Sequence, residues 1–195
     1  MSQRIYIVLL AAGQSKRYGK TKLLDDLHGR PLLQHALLAA QAACPGCVCL
    51  VLGHESDTLM RAVSGLADRV ALNDAFETGI GSSIACGVAA CRAQADAVVI
   101  MLADQPLVTA EHVTALVEQW GGQSDAIVAT SFSGIEGPPV LFGQAYFDQL
   151  VNLEGDAGAK SMLRTHAASV GVVTFERAAI DIDTPEDLEA LSSPD

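Results

Sequence analysis

Leu10-Ala-Ala-Gly-Gln-Ser-Lys-Arg-Tyr-Gly-Lys-Thr-Lys22 carries the densest chemistry in the chain, with Gly13, Gly19 and four cations (Lys16, Arg17, Lys20 and Lys22) directly after the apolar run Ile5–Leu10. The protein is acidic, with 12 basic against 23 acidic residues and a net charge of −11, so a third of its cations fall in this one loop. Cations packed this closely repel one another unless an anion sits among them. Glycines let backbone N–H groups converge on phosphate oxygens. A buried strand running into such a loop reads as a cradle for a polyphosphate, with a solvated basic turn as the plainer alternative. The loop matches neither the P-loop G-x-x-x-x-G-K-[ST] nor the dinucleotide fingerprint G-x-G-x-x-G, which steers away from P-loop ATPases and dehydrogenases.

Acids supply the complementary chemistry. Asp104 follows the apolar run Ala97–Leu102 in Ala103-Asp-Gln-Pro106. At the carboxyl end of a parallel strand it faces the same rim as the glycine loop. A carboxylate beside a triphosphate is repelled unless a divalent cation intervenes, and Mg²⁺ takes one or two carboxylates plus phosphate oxygens. Asp104 is therefore a candidate Mg²⁺ ligand, or else a turn former ahead of Pro106. In Asp181-Ile-Asp-Thr-Pro-Glu-Asp187, alternation puts Asp181 and Asp183 on one side of an extended segment, and one of them could complete the metal site. Thr184, Glu186 and Asp187 suit the start of a helix.

Three further stretches offer contacts. Asn73-Asp-Ala-Phe-Glu-Thr-Gly-Ile-Gly-Ser-Ser83 follows a strand and opens a helix, so Asn73, Gly81, Ser82 and Ser83 suit ribose or base recognition, although ordinary capping by Ser82 explains the serines equally well. Gly137-Pro-Pro-Val-Leu-Phe142 and Glu154-Gly-Asp-Ala-Gly-Ala-Lys160 are glycine-bearing loops where a second anionic substrate could dock, with Lys160 as counter-charge. The five histidines stand in no nucleophile–base arrangement and read as surface or packing residues.

These residues need a scaffold. Apolar runs at Ile5–Leu10, Cys47–Leu52, Val70–Leu72, Ala97–Leu102, Ala126–Thr130 and Val170–Thr174 alternate with helical patterns. The helices are expected over Leu32–Ala43, Ser56–Ser64, Ser82–Ala93, Ala110–Trp120, Gln144–Leu150, Gly158–His166 and Pro185–Leu191. That alternation predicts an α/β fold, a mostly parallel sheet with helices on both faces. The Gly134–Phe142 stretch breaks the rhythm and predicts an antiparallel excursion. With 195 residues, half of them apolar, a single domain spanning 1–195 is expected. The acidic balance argues against nucleic acid or an anionic membrane as partner. Without a membrane-length apolar run or a signal-peptide pattern, cytoplasmic residence is expected. Five cysteines then read as reduced thiols, and Cys44-Pro-Gly-Cys47, between a helix and a strand, reads as a turn.

The run Leu10-Ala-Ala-Gly-x-Ser-x-Arg-x-Gly-x-x-Lys22 resembles the N-terminal loop of nucleotidyltransferases with a Rossmann-like, glycosyltransferase-A-like three-layer sandwich. Asp104 in Ala-Asp-Gln-Pro, Gly137-x-Pro139-x-Leu-Phe142, Gly155-Asp156-x-Gly-Ala-Lys160 and Asp181-Ile-Asp-Thr-Pro-Glu-Asp187 together resemble the molybdenum cofactor cytidylyltransferase (MocA-like) branch. Lys160 stands where that branch usually has arginine, and Tyr18 where methionine or phenylalanine is commoner. The resemblance implies that Leu10, Ala11, Ala12 and Gly13 contact base and phosphates, that Arg17 and Lys22 hold the triphosphate, and that Asp104 and Asp183 bind Mg²⁺. Ala12 favours CTP over GTP, because the guanylyltransferase branch usually has glycine there. The implied reaction transfers CMP from CTP to the phosphate of a molybdopterin-type cofactor, with Lys22, Arg17 and Asp104 as catalytic residues. A molybdoenzyme or its maturation chaperone is the implied onward partner. The rival readings are transfer to another phosphorylated acceptor, including GTP-dependent transfer to molybdopterin or a sugar or polyol phosphate, and a nucleotide-binding module without catalysis.

Overall fold

The computed structural model describes residues 3–15, 18–63 and 65–192. Its centre is a seven-stranded sheet in the order β5-β4-β1-β6-β8-β7-β9. In chain order the strands are β1 (Ile5–Ala11), the two-residue β2 (Asp26–Leu27) and β3 (Arg30–Pro31), β4 (Val48–Leu52), β5 (Arg69–Leu72), β6 (Ala97–Leu102), β7 (Ile127–Phe132), β8 (Ile135–Gly143) and β9 (Val170–Thr174). The helices are α1 (Leu32–Ala43), α2 (Ser56–Ala62), α3 (Ile80–Cys91), α4 (Ala110–Trp120), α5 (Phe147–Val151), α6 (Ala159–Thr165) and α7 (Pro185–Ser192). Strands β5, β4, β1 and β6 pair in parallel, and β9 is parallel to β7. Strand β8 runs antiparallel between β6 and β7. It is the excursion expected from the Gly-Pro-Pro stretch.

The central strands are apolar on both sides because both sides are covered. Ile7, Leu9, Val99 and Met101 face α1 and α4, in a core closed by Trp120. Tyr6, Val8, Val98 and Ile100 face α3, α5 and α6. Sheet and two helical layers make the three-layer α/β sandwich. The two-residue ribbon β2–β3 was not anticipated, since two residues have no period to read. A third, small cluster of Tyr18, Leu27, Leu32 and Ile182, with Leu188 and Leu191 of α7 against it, ties the N-terminal loop to the C-terminal helix.

Several boundaries moved. Helix α3 begins at Ile80, two residues before the expected start, because Gly79 at φ 123° is the residue before its first turn. Ser82 is therefore not the cap; its hydroxyl lies inside the helix and donates to the Gly79 carbonyl at 2.8 Å. Pro31 lies in β3, just before α1. The segment from Gln144 forms a 3-10 turn before α5. The expected end of α2 at Ser64 lies outside the described residues, and the helix closes at Ala62. Cys44–Cys47 is a turn, and all five cysteines are free thiols. Among the described residues no helix is long and apolar enough to cross a membrane.

Helix α3 lies close to the sheet because Gly87 has no side chain. A Cβ there would overlap Val8 and stand 2.7 Å from Cγ2 of Val51, both fully buried. Gly87→Ala gains about 1 kcal/mol of helix propensity. Overpacking a filled core costs about 1–3 kcal/mol and wins. Chemical denaturation is expected to show a net loss of stability, smaller in a Val8→Ala background that makes room for the methyl. A stability gain in the single variant would contradict this packing.

Candidate active site

The carboxyl ends of the parallel strands share one rim. Leu10 stands beside Leu102 and Val51 in register, and Ala103 N donates to Leu10 O at 3.1 Å. Beyond that rim β1 opens into the glycine loop and β6 into Ala103-Asp104. Gly13 has nothing within 4 Å of where a Cβ would project, so its backbone faces open space that a ligand can approach.

Lys22 leaves the loop in a 3-10 turn, Lys22–Leu24, whose Leu23 is buried in the core. Its ammonium reaches Asp104 Oδ2 at 2.8 Å and Asp183 Oδ1 at 3.1 Å. Only about 10% of the Lys22 side chain is exposed, against 26% for Asp104 and 34% for Asp183. Three residues separated by 82 and 79 positions thus meet at one point.

Each partner is held from behind. Ile182 is fully buried in the small third cluster, and its N–H donates to Asp104 O at 3.0 Å, which pins the Asp183 segment to the end of β6. Asp187 Oδ2 accepts the N–H groups of Asp183 (2.9 Å) and Thr184 (2.8 Å), while Thr184 Oγ1 accepts Asp187 N–H at 3.3 Å. This reciprocal capping box starts α7 and fixes the backbone of Asp183. The N–H donors hold the Asp187 carboxyl below the usual carboxylate range. In the loop, Tyr18 donates to Asp25 Oδ2 at 2.7 Å, and its burial pushes the phenol pKa up. Lys20, also paired with Asp25 at 2.8 Å, turns outward and is largely exposed. Arg17 and Lys16 lie outside the described residues.

Asp104 and Asp183 present hard oxygen donors of the kind Mg²⁺ accepts. Among the described residues no group of three or more His, Cys, Asp or Glu could hold a metal by itself. An ion at this pair would therefore need phosphate oxygens or water to complete its shell, and the donor set fits that arrangement. Asp181 sits apart, at the rim of the adjoining cavity. Desolvation first, then the neighbouring Asp104 carboxylate, push its pKa upward, so a proton competes for it.

Three connected clefts run from this point. The first, about 220 Å³, holds Leu10, Ala11, Gly13, Ser15, Lys22, Asp104 and Asp183. The second, about 260 Å³, shares Leu10, Gly13 and Asp104 and is walled by Ala12, Ser83, Phe76, Ile80 and Leu102. The third, about 510 Å³, continues past Ile80 and Leu102 to Phe132, Ile135, Pro138, Asp156 and Lys160. The first suits phosphates, the second a flat base and the third a larger body with apolar faces.

The other sequence candidates fall in different places. Asn73 donates to Ser82 and Ser83 hydroxyls at 2.9 and 3.0 Å and accepts Ala75 N–H, so it organises the loop rather than lining the nucleotide clefts. Gly81 N–H donates to Gly155 O at 2.9 Å, and a Cβ on Gly81 would meet Glu154 and Ala157 backbone at 2.9 Å. These glycines let two loops press together. Gly137 lies beneath Phe132 and Lys160, and Pro139 gives its carbonyl to Thr130 Oγ1 at 2.7 Å, both outside the cavity lining. Phe76, packed on Gly53, was missed although it stands inside the Asn73–Ser83 stretch as its one aromatic residue. Arg164 was also missed; its spacing of four from Lys160 on α6 was the available signal. His112 is a packing residue: it bonds Thr130 Oγ1 at 2.8 Å and stacks on Phe175, and burial lowers its pKa to about 4.

A glycine loop, a lysine and two carboxylates thus meet at the carboxyl rim of a mostly parallel sheet. The chain belongs to the MobA-like NTP transferase domain family, which it matches over residues 7–170. It is 32% identical over 196 residues to the purine catabolism protein PucB of Bacillus subtilis (strain 168), covering 94% of each chain. The crystal structure of Rv0371c from Mycobacterium tuberculosis H37Rv superposes with a TM-score of 0.86 at 25% identity, covering 98% of both chains. That protein's manganese complex superposes at 0.81 and 22% identity over 98% of each chain. Molybdopterin-guanine dinucleotide biosynthesis protein A from Archaeoglobus fulgidus shares the fold, with a TM-score of 0.69 at 17% identity over 96% of both chains.

Asp104→Ala and Asp183→Asn are expected to lower kcat for nucleotidyl transfer by about 10²-fold or more, as loss of a contact to developing charge does. Both sites are partly exposed, so thermal unfolding should shift little. Asp181→Asn is expected to cost less than about tenfold in kcat, because Asp181 lies in the third cleft. Pyrophosphate release at saturating substrates measures all three. A larger loss at Asp181 than at Asp183 would contradict the geometry.

Proposed function

We propose that the protein transfers CMP from CTP to the phosphate monoester of a molybdopterin-type cofactor, with release of pyrophosphate. The observation that carries this reading is the continuity of the three clefts through Asp104 and Leu102, with Lys22 and both carboxylates at the phosphate end. A nucleotide lying along the first two clefts would reach the edge of the third at Ile80 and Leu102. Membership in the MobA-like NTP transferase family supports nucleotidyl transfer. The third cleft sets apolar walls, Phe132, Ile135 and Pro138, beside the cations Lys160 and Arg164, which suits an acceptor with a flat apolar face and an anionic group.

The acceptor phosphate is already largely ionised at neutral pH, its second pKa being about 6, so no general base is required. That agrees with a site lacking a His-centred relay. The protein's task is to align two anions and offset their repulsion. Lys22, buried beside both carboxylates, would stabilise charge on the α-phosphate and the departing pyrophosphate, a role Arg17 would share. Asp104 and Asp183 would hold a divalent ion, Mg²⁺ in this reading, and the manganese complex of the mycobacterial neighbour supports that use. Such an ion supplies Lewis acidity to phosphate oxygens. Lys160 and Asp156 would orient the acceptor.

Ala12 tests the nucleotide assignment. It lines the second cleft opposite Ile80 and Ser83, where a Cβ narrows the slot that a purine's second ring would fill. Discrimination per methylene in such pockets is about 1–3 kcal/mol. With purified molybdopterin as acceptor, wild type is expected to show higher kcat/KM for CTP than for GTP. Ala12→Gly should soften that ratio without inverting it. A wild type that uses GTP as well as CTP would reject the cytidylyl reading, and an unchanged ratio in the variant would clear Ala12 of a role.

A further inference from the structure

Lys22 has a place in the site that its role toward phosphate does not explain. Its ammonium lies 2.8 and 3.1 Å from one oxygen each of the two carboxylates that would hold a metal, and little of it meets solvent. It stands between the donors, where a bridging cation would stand. Two carboxylates share this one ammonium. A divalent ion binds carboxylate oxygens at about 2.0–2.1 Å, so the ion and the ammonium would lie within a few ångströms of each other. With only about 10% of the Lys22 side chain exposed, two cations so close repel strongly. The ion and the ammonium therefore compete for the same two oxygens.

We propose that Lys22 is the resident cation of the carboxylate pair. It keeps Asp104 and Asp183 together and closed to metal while the nucleotide is absent, and the arriving triphosphate draws it away. The displacement half rests on the nucleotide-binding reading above; the competition half does not. The triphosphate offers Lys22 new oxygen partners within the first cleft, and the oxygens that Lys22 leaves can then meet the ion that accompanies it. One side chain so links metal binding to nucleotide binding, a coupling that must act equally in both directions. Lys20 gives the internal contrast. It belongs to the same loop and carries the same charge, yet it is paired with Asp25 and turned to solvent.

Mn²⁺ binding measured by electron paramagnetic resonance on the full chain, without nucleotide, tests the competition directly. Lys22→Met, which keeps length and removes charge, is expected to bind Mn²⁺ about tenfold or more tighter than wild type, within the usual range of site-to-site coupling. Mn²⁺ should also raise the melting temperature of Lys22→Met more than that of wild type. Lys22→Arg, which retains the charge, and Lys20→Met, which removes a neighbouring one, should both bind Mn²⁺ as wild type does. Equal Mn²⁺ affinity in wild type and Lys22→Met would overturn the proposal, as would an equal gain in Lys20→Met. In the second arm, the factor by which Mn²⁺ tightens CTP binding should be smaller in Lys22→Met than in wild type. If wild type binds no CTP while Lys22→Met still gains Mn²⁺ affinity, the proposed function fails and the resident-cation role stands.

Discussion

Everything in this molecule that bears on chemistry depends on bringing two carboxylates and one ammonium to a single point. Asp104 and Asp183 repel each other, and Lys22 loses hydration where it lies. A buried arrangement of this kind persists only when each charge has a close, well-oriented partner. The trio satisfies that condition with two contacts near 3 Å, and it is Lys22, shared by both carboxylates, whose loss would cost the arrangement most. The structure around it is largely an apparatus for holding backbones that would otherwise not meet.

Register does the first part of that work. Parallel pairing of β1 with β6 sets Leu10 beside Leu102, so the glycine loop and Asp104 emerge at the same height. The second part falls to a small apolar cluster outside the main cores, in which Ile182 is packed among Tyr18, Leu27 and Leu32. Its backbone bond to Asp104 O joins the last segment of the chain to the centre of the sheet. The capping box of Thr184 and Asp187 then sets the direction in which α7 leaves. Glycines do a quieter job: Gly79, Gly81 and Gly155 let two loops touch backbone to backbone, which shapes the clefts without lining the phosphate end.

Much of this was legible in the sequence. Apolar runs bounded by turn residues marked β1, β4 and β6 closely, because both faces of the sheet are buried there and each strand reads as a continuous run; β9, half-exposed at the sheet edge, was marked by its valines. The Gly-Pro-Pro stretch announced a departure from parallel order, and β8 is that departure. Asp104 and Lys22 could be singled out by charge and by position at strand ends. Their direct contact could not, since nothing local encodes a meeting across 82 residues. The choice between Asp181 and Asp183 was likewise open, because alternation puts them on the same side of an extended strand; the backbone bond of Ile182 is what aims Asp183 at Lys22. The serines near α3 looked like caps because sequence cannot show that Gly79, at positive φ, already ends the loop. Phe76 and Arg164 escaped notice because an aromatic ring or a single cation is common everywhere and gains meaning only from the cleft it faces.

In the proposed reaction this rim cleaves a nucleoside triphosphate between its α- and β-phosphates and passes the nucleotidyl group onward. The measurement that bears on it most directly is the fate of phosphorus. The protein would be incubated with molybdopterin and CTP labelled at either the α or the γ position, with the label followed into acceptor, pyrophosphate and orthophosphate. The account predicts α label on the acceptor and γ label in pyrophosphate, in equal amounts. Transfer of γ label to the acceptor, or its release as orthophosphate while α label stays with the nucleotide, would contradict it.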